Sequence, residues 1–211
     1  MSTIAILGSG RVGKTLATKL AAAGHDVVVG SRTPAEVSAA WDGPAVAFAT
    51  VGDAIDRAEI VVNATPGESA VERLTEHRAG LAGKVLVDVS NATERTEGGP
   101  GPLVYPGSSL AEHLQEALPD TRVVKTLNTM LFMVMTAPGS LAHPATAFLS
   151  GDDAEAKATV LGLLADLGWP AEQVLDLGGV ATARGPEALI LLVPDVLRAR
   201  GFAPVAISIV S

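Results

Sequence analysis

The chain has 211 residues, 48% of them hydrophobic and 18% charged, which suits a folded domain with a smaller appendage and excludes extended disorder. Its 15 basic and 23 acidic residues give a formal net charge of −8 without a run of Lys or Arg, so we expect neither nucleic acid nor a membrane as a partner. The absence of cysteine excludes disulfides, a thiolate nucleophile and a cysteine-ligated metal. No basic leader precedes the first apolar segment, and no apolar run approaches the roughly 20 residues of a membrane span, so we expect a cytoplasmic protein.

Residues 3–32 have the pattern of a dinucleotide-binding unit, in the order strand, glycine turn, helix and strand. The apolar run at 4–7 predicts a buried parallel strand, and the sequence GSGRVG that follows at once fits G-x-G-x-x-G. In such a unit Gly8 makes the tight turn, Gly10 lets the backbone approach a pyrophosphate, and Gly13 lets the helix pack closely on the sheet. The N-terminus of the helix then faces the anion.

The end of the second strand indicates which dinucleotide is bound. An NAD-binding unit usually carries Asp or Glu there, which accepts hydrogen bonds from the ribose 2′-hydroxyl. This chain has Gly30, Ser31 and Arg32 instead. A carboxylate would repel a 2′-phosphate, whereas a hydroxyl and a guanidinium bind it through charge-assisted hydrogen bonds. The sequence therefore predicts NADP(H) as the cofactor.

A second motif competes for the same loop. Residues 8–15 also fit G-x-x-x-x-G-K-[ST], the phosphate loop of NTPases, in which Lys14 would contact the β/γ-phosphates and Thr15 would hold Mg²⁺. The VLVD segment at 85–88 could then serve as the metal-binding strand. We favour the dinucleotide interpretation, because the NTPase loop does not require its second glycine and gives no role to the polar residues after the second strand.

Further along the chain, apolar runs alternate with helical patterns, which predicts an α/β fold with a doubly wound parallel sheet of the Rossmann type. We expect residues 1–150 to form the NADP-binding domain and residues 151–211 a small C-terminal lobe that completes the substrate cleft. The Gly- and Pro-rich residues 93–108 predict a mobile surface loop that could cover the site. Residues 205–210 could form either a last strand or an interface segment.

Small polar residues follow two of the buried strands. Asn63 and Thr65 lie at the end of one strand, and Ser90 and Asn91 follow the next. Ligands of such sheets lie outside the carboxyl ends of the strands, so these four residues are candidates for cofactor binding. The alternative is that small polar residues simply form turns there. The occurrence of two such clusters after consecutive strands favours binding.

A segment rich in methionine follows the predicted strand at 122–126. Residues 127–135, LNTMLFMVM, contain three of the four methionines of the chain. Such a cluster commonly belongs to a hydrophobic core. It could instead contact a flat, polarizable ring, for which the thioether is well suited. The sequence leaves both roles open.

Residues for metal or acid–base chemistry are not evident. The four histidines, at positions 25, 77, 113 and 143, are scattered without metal-ligand spacing, so we expect no metal. Tyr105 falls in the Gly/Pro-rich loop, and Lys125 lies within a strand where its side chain can point to either face. We therefore expect no catalytic acid or base. Hydride transfer between two ring systems needs stacking and orientation more than a proton relay.

Several stretches together resemble the F-420-dependent NADP oxidoreductases. They are IAILGSGRVGKTLATKLAAAGHDVVVGSR, VVNATPGES, VLVDVSNA, VVKTLNTM, SGDDAEAKATVLGLLADLGW and LDLGGVATARGPEAL, and they cover nearly the whole chain in order. The resemblance implies a Rossmann domain that binds NADP and a small C-terminal lobe that helps to form a cleft for the deazaflavin. It also implies direct hydride transfer between nicotinamide C4 and deazaflavin C5, and a homodimer.

By position, the resemblance implies that residues 8–12 hold the pyrophosphate and that Ser31 and Arg32 hold the 2′-phosphate. The cofactor contacts expected in full are Gly8, Ser9, Gly10, Arg11, Val12, Ser31, Arg32, Asn63, Thr65, Pro66, Ser90, Asn91 and Ala92. Asn128, Thr129 and Met130 are expected to face the deazaflavin. The chain departs from the family at 33–36, where TPAE lacks the lysine that often follows the arginine, and this weakens the expected preference for NADP(H) over NAD(H).

The predicted function is therefore that of an oxidoreductase, which transfers a hydride directly between NADP(H) and the deazaflavin coenzyme F-420. One alternative is an NADPH-dependent reductase of a flavin or another small acceptor. The other is a non-catalytic NADP(H)-binding module.

Overall fold

The computed structural model describes residues 1–97 and 99–210. Ten strands lie within these residues. They are β1 (Thr3–Leu7), β2 (Asp26–Gly30), β3 (Ala47–Ala49), β4 (Ile60–Asn63), β5 (Val85–Asp88), β6 (Thr93–Thr96), β7 (Gly99–Leu103), β8 (Arg122–Thr126), β9 (Ala147–Ser150) and β10 (Val174–Gly178).

The helices connect these strands and cover the sheet. They are α1 (Arg11–Ala22), α2 (Pro34–Ala39), α3 (Val51–Arg57), α4 (Ala70–Thr75), α5 (Arg78–Leu81), α6 (Leu110–Ala117), α7 (Phe132–Met135), α8 (Ala154–Leu167), α9 (Arg184–Ala188) and α10 (Val193–Arg200). Short 3-10 turns add Gly67–Ser69, Pro138–Ser140, Ala171–Gln173, Val180–Ala183 and Leu189–Leu192. Within residues 1–97 and 99–210, none of the helices combines the length and the hydropathy that a membrane span requires.

Eight strands form one sheet in the order β10-β9-β8-β5-β4-β1-β2-β3. The six strands from β8 to β3 are all parallel and have the Rossmann order. Successive strands are added outward from β1 in one direction up to β3 and from β4 in the other, so the strand order reverses between β1 and β4. The predicted α/β fold with a doubly wound sheet is confirmed. β9 runs antiparallel to β8, because the segment between them contains only a four-residue helix and a 3-10 turn instead of a full crossover helix.

The two faces of the sheet bury separate hydrophobic clusters. Along β1 the side chains alternate, so that Ile4 and Ile6 face the cluster beneath α1 and α8, while Ala5 and Leu7 face the cluster beneath α3 and α6. All four are at most 1% exposed. This burial on both faces explains why the parallel strands are continuous apolar runs in the sequence.

The Gly- and Pro-rich stretch was predicted as a loop, and this expectation is wrong for most of it. β6 and β7 pair as an antiparallel hairpin, and position 98, between them in the sequence, lies outside the described residues. Both strands are largely exposed and β7 has the sequence GPGPL, so neither strand has the apolar alternation by which a strand is recognised.

The C-terminal third packs on the same sheet as the rest of the chain. β10 pairs with β9, and α8 lies against α1. The last segment forms an isolated bridge between Met130 and Ala206, and backbone hydrogen bonds join it to Leu131 and Thr146. The division into domains at residues 1–150 and 151–211 stays a prediction.

Candidate functional site

A cavity of about 920 Å³ runs along the carboxyl ends of the parallel strands, where β1 and β4 separate. This is the position at which open α/β sheets bind ligands, and the volume lies within the range of about 300–1,000 Å³ for small-molecule sites. The predicted residues on its wall are Gly8, Ser9, Gly10, Arg11, Val12, Ser31, Arg32, Thr65, Pro66, Ser90, Asn91 and Met130. The other predicted residues, Asn63, Ala92, Asn128 and Thr129, are buried and do not line it.

The glycine turn has the geometry that each glycine of a dinucleotide motif requires. Gly8 has φ +109, and a Cβ there would lie 2.6 Å from the carbonyl oxygen of Ala64. A Cβ on Gly13 would lie 1.9 Å from the carbonyl oxygen of Gly8, so α1 packs directly on the turn. A Cβ on Gly10 would meet no protein atom within 4 Å, because this residue borders the open cavity. The turn therefore leaves space for a ligand at Gly10 alone.

The N-terminus of α1 is free to face an anion. The helix starts at Arg11, its N-cap residue Gly10 supplies no side-chain hydrogen bond, and its first turn contains no acidic residue. Unpaired amides and the helix dipole together favour a negative group at such an end. The residues present thus fit a pyrophosphate.

The residues after β2 form a second candidate anion site. The Ser31 amide donates to the carbonyl of Ala49 (3.0 Å), and the Ser31 hydroxyl accepts from the amide of Thr33 (3.2 Å), which fixes the turn. Arg32 is exposed on the cavity wall and makes no side-chain hydrogen bond or ion pair with the described residues. A guanidinium in this place is available to a phosphate.

The competing NTPase interpretation does not fit this geometry. Lys14 lies outside the cavity lining, forms an ion pair with Asp42, and its ammonium lies over the ring of Trp41. Asp88, the candidate metal ligand, is fully buried and its carboxylate is paired with Lys125. Lys14 is thus engaged away from the cavity, and Asp88 is not available for a nucleotide-bound metal.

The ends of β4 and β5 are held by buried hydrogen bonds. Asn63 Nδ2 donates to Asp88 Oδ1 (2.8 Å), and Asn63 Oδ1 accepts from the Thr65 hydroxyl (2.6 Å) and from the Thr65 amide (3.2 Å). Asn63 thus supports Thr65 on the cavity wall from behind. Ala92 is 3% exposed and packs in the hydrophobic cluster beneath α6, so it lies behind the neighbouring residue Asn91.

The far end of the cavity is apolar. Met130, Leu131, Phe132 and Met135 line it, and Met130 and Met135 also belong to the core cluster. These two methionines are therefore core residues that also line the cavity, and their contact with a flat ring stays a prediction. Arg11 lies over the Phe132 ring, 5.3 Å from its centroid, and joins this wall to the glycine turn.

Asn128 and Thr129 lie directly behind this apolar wall. Asn128 exchanges hydrogen bonds with Asn91, by accepting at its carbonyl (2.9 Å) and donating from its amide group (3.0 Å). The chain reaches this arrangement through Leu127, a non-glycine residue with a positive φ of 60°. Thr129 is 3% exposed and its hydroxyl has no partner among the described residues. Asn128 thus acts on the wall through Asn91.

Sequence reasoning missed the contribution of the hairpin and the buried residues beneath it. Residues 93–96, 99 and 100 form one side of the cavity, where Arg95 donates to Glu68 (2.6 Å). The sequence did not indicate to which face of its strand the Lys125 side chain points. In the structure Lys125 is 1% exposed and is paired with Asp88 and Glu187. Asp88 and Lys125 are charged residues at the same level of neighbouring buried strands. This pair was the signal in the sequence that could have predicted the buried charges. The role of the hairpin as a cover stays a prediction.

Comparison with known proteins agrees with this site. The family described as "NADP oxidoreductase coenzyme F420-dependent" matches residues 3–92. A candidate F420-dependent NADP reductase from Arthrobacter sp. FB24 is 39% identical, with a TM-score of 0.93 over 100% of both chains. The chain belongs to this family of NADP-dependent oxidoreductases. A hypothetical protein from Sinorhizobium meliloti is 31% identical over 87% of this chain and 88% of that one, with a TM-score of 0.72.

Longer relatives share the same region. Metalloreductase STEAP3 of Rattus norvegicus is 35% identical over 191 residues, which are 89% of this chain but 36% of the metalloreductase. Metalloreductase STEAP2 of Homo sapiens matches at 30% identity, also over 36% of its length. The chain thus spans little more than a third of these relatives. Membership of the family supports NADP(H) as the dinucleotide of this chain.

A substitution at Gly10 tests whether the cavity holds the cofactor at this point. Because an added Cβ meets no protein atom, Gly10→Ala should change the free energy of unfolding by less than about 1 kcal/mol. The methyl group would occupy the space of the pyrophosphate, so the NADPH dissociation constant should rise about tenfold or more. Chemical denaturation and calorimetry measure the two quantities. Unchanged NADPH affinity would contradict the assignment.

Proposed function

We propose that this protein transfers a hydride directly between NADP(H) and a deazaflavin coenzyme, F420. The observation that carries the proposal is the continuous cavity, which leads from an anion site at Arg32, past the glycine turn, to an apolar wall at Met130 and Phe132. Family membership supports the NADP(H) half. The F420 half is supported by the description of the family and by the flat apolar end of the cavity.

The chain's residues divide the binding of the dinucleotide among them. Ser31 and Arg32 bind the 2′-phosphate, the start of α1 and residues 8–12 bind the pyrophosphate, and Thr65, Pro66, Ser90 and Asn91 contact the ribose and nicotinamide. The two phosphate sites use charge and fixed backbone dipoles, which act on NADP(H) whatever its redox state. Orientation of the ring then depends on the far end of the cavity.

The described part of the lining holds few groups that could transfer a proton. It contains no His, Lys or Tyr, and its carboxylates are Glu68, which is paired with Arg95, and Glu94. The bound dinucleotide supplies or accepts the hydride. The residues of the wall exclude water and hold a second ring within the contact distance of about 3–3.5 Å that transfer requires. This composition favours a ring acceptor over an alcohol or a carbonyl.

A comparison of acceptors tests the proposal. The protein is mixed with NADPH and, in parallel, with oxidised F420, FMN, FAD and riboflavin, and the loss of NADPH absorbance is followed. We expect the highest kcat/KM with F420. Transfer of deuterium from stereospecifically labelled NADPH to the deazaflavin would demonstrate the direct step. Turnover with a flavin and none with F420 would show that the acceptor is a flavin and not a deazaflavin.

The alternative of an acceptor other than F420 rests on a specific observation, the identity of 35% to a metalloreductase. If that acceptor were a flavin, the same wall would hold an isoalloxazine ring, which is also flat and polarizable. The non-catalytic alternative predicts tight NADPH binding with no turnover for any acceptor of the series. Calorimetry with NADPH on the same samples distinguishes this case from a protein that binds no dinucleotide.

Phe132 tests the position of the acceptor. It lines the apolar end and is held by α7 and by Arg11, so Phe132→Ala removes one face against which a ring can pack. We expect KM for the acceptor to rise about threefold to tenfold, since an aromatic contact is worth about 0.5–1.5 kcal/mol beyond its buried area. The NADPH dissociation constant should stay within about twofold of wild type.

The matched control for Phe132 is Phe202→Ala. Phe202 is 64% exposed and lies outside the cavity, so its replacement should leave both constants unchanged. Equal effects of the two substitutions, or loss of NADPH binding in Phe132→Ala alone, would contradict the placement of the acceptor against this wall.

A homodimer in the cytoplasm is part of the same proposal. Large apolar side chains of the C-terminal third are exposed, among them Leu191, Leu192, Ile209 and Val210. A second copy that covers them would remove this area from water, at about 25 cal/mol for each Å². Analytical ultracentrifugation of the wild-type protein and of Leu192→Ser tests this assembly. A monomer at all concentrations would exclude it.

A further inference from the structure

One buried set of polar side chains joins the ends of three strands and a helix of the C-terminal third. We call it the Lys125 cluster, and it consists of Asn63, Asp88, Ser90, Lys125 and Glu187. Each of these residues is at most 9% exposed. The first four lie on or directly after β4, β5 and β8, and Glu187 lies on α9. The cluster therefore ties distant parts of the sequence to the floor of the cavity.

The Lys125 ammonium group has one acceptor for each of its three N–H donors. Its Nζ lies 2.7 Å from Asp88 Oδ2, 2.5 Å from the carbonyl oxygen of Ser90 and 2.9 Å from Glu187 Oε1. Burial alone would lower the pKa of Lys125, but the carboxylates of Asp88 and Glu187 outweigh it and raise the pKa. The lysine therefore stays charged and fixed at neutral pH.

Both carboxylates have further donors of their own. Asp88 Oδ1 accepts from Asn63 (2.8 Å) and from the Ser90 hydroxyl (2.7 Å). Glu187 accepts from the amides of Leu110 (2.8 Å) and Ala111 (3.2 Å) at the N-terminus of α6, where a negative charge is favoured. Buried ion pairs of this kind are often no more stable than apolar side chains of the same volume. Stability alone therefore gives no reason for a lysine here.

Unlike an apolar side chain, Lys125 can donate a hydrogen bond to the carbonyl oxygen of Ser90. The next residue, Asn91, lies on the cavity wall and is hydrogen-bonded to Asn128, which lies three residues beyond Lys125 in the chain. In a sheet of this order, β1 and β2 serve the adenosine half of a dinucleotide, while β4 and β5, across the reversal point, serve the nicotinamide half. The Ser90–Asn91 peptide therefore belongs to the nicotinamide half.

We propose that Lys125 is a positioning residue for the nicotinamide half of the cofactor, which it aligns by fixing the Ser90 carbonyl and thereby Asn91. This inference rests on the proposed binding of NADP(H). Lys125 lies behind the wall and touches no ligand, so its effect should be confined to the half of the dinucleotide that Asn91 contacts. The adenosine half, at Ser31 and Arg32, should be insensitive to it.

The experiment compares two ligands that share the adenosine half. Calorimetry gives the dissociation constants of NADPH and of 2′,5′-ADP for wild type, Lys125→Met and the double variant Lys125→Met/Glu187→Gln. The double variant removes one positive and one negative charge together and so keeps the buried cluster at its original net charge. We expect about tenfold weaker NADPH binding in both variants and no change for 2′,5′-ADP, since a charge-assisted contact has about this effect.

The matched control is Lys84→Met. The Lys84 ammonium donates to the carbonyl of Ala58 at the opposite end of the sheet (2.5 Å), so it reproduces the loss of a lysine–carbonyl contact away from the cavity. Both ligands should bind this control as they bind wild type. A second readout is kcat with the acceptor, which should fall in the Lys125 variants while the acceptor KM changes less.

Two results overturn the inference. One is a double variant that binds NADPH as tightly as wild type. The other is parallel loss of NADPH and 2′,5′-ADP binding in both variants, which would assign Lys125 to the stability of the fold. Failure of the proposed NADP(H) binding is a separate outcome, because wild-type protein would then bind neither ligand.

Discussion

Replacing Gly13 with Ala should destabilise the folded protein by about 3 kcal/mol and abolish NADPH binding at room temperature. The new Cβ would lie 1.9 Å from the carbonyl oxygen of Gly8, and a backbone atom cannot rotate away as the end of a side chain can. Alanine favours a helix over glycine by about 1 kcal/mol, but forced separation of α1 from the glycine turn outweighs this gain. Because the turn and α1 together make the pyrophosphate site, binding should fail with it.

The control for Gly13 is Gly162→Ala in the middle of α8. A Cβ at Gly162 would meet no atom within 4 Å, so only the helix preference acts and the variant should gain about 1 kcal/mol. Urea denaturation of both variants, with unchanged m-values, gives the comparison. If both substitutions stabilised the protein, the close contact between α1 and the turn would be excluded.

Arg32→Ala should raise KM for NADPH much more than KM for NADH. The guanidinium is exposed on the cavity wall without a partner among the described residues, so its loss removes no internal contact. A charge-assisted hydrogen bond to the 2′-phosphate is worth about 1.5–3 kcal/mol, which corresponds to roughly a tenfold to a hundredfold change. NADH lacks this phosphate, and its KM should change little.

Arg57→Ala is the matched control for charge. Arg57 is exposed in the last turn of α3 and does not line the cavity, so its removal changes the net charge by the same amount. Steady-state kinetics with both dinucleotides on both variants tests the assignment, and repeating them at higher salt separates a direct contact from a long-range field. Equal losses for NADPH and NADH in Arg32→Ala would remove Arg32 from the 2′-phosphate site.

The wild-type preference between the two dinucleotides is a further measure of this site. No lysine follows within residues 33–36, and Ser31 and Arg32 are the polar side chains that the end of β2 presents. A phosphate held by one guanidinium and one hydroxyl has fewer charged donors than a site with an added lysine. We therefore expect a preference for NADPH that is measurable but smaller than an added lysine would give, and that falls as ionic strength rises.

Local patterns in the sequence already predict the glycine turn and the residues after β2. The close approach of Gly13 to Gly8 spans five residues, and the choice of Ser31 and Arg32 depends on the end of a single strand. The parallel sheet follows likewise from the alternation of apolar runs with helical patterns. Information of this range is readable from one sequence because neighbours along the chain are neighbours in space.

The far end of the cavity could be decided only by tertiary structure. Asn91 and Asn128 are 37 positions apart, Lys125 and Glu187 lie on different elements, and the β6–β7 hairpin lacks apolar alternation. Whether Asn128 and Thr129 face a ligand or lie behind Met130 depends on how the chain turns at Leu127. The sequence by itself thus determined the fold and predicted the candidate dinucleotide site from local patterns. The packing of distant strands decided which side chains form the apolar wall and which support it, because a side chain's direction at a strand end is fixed by its non-local neighbours.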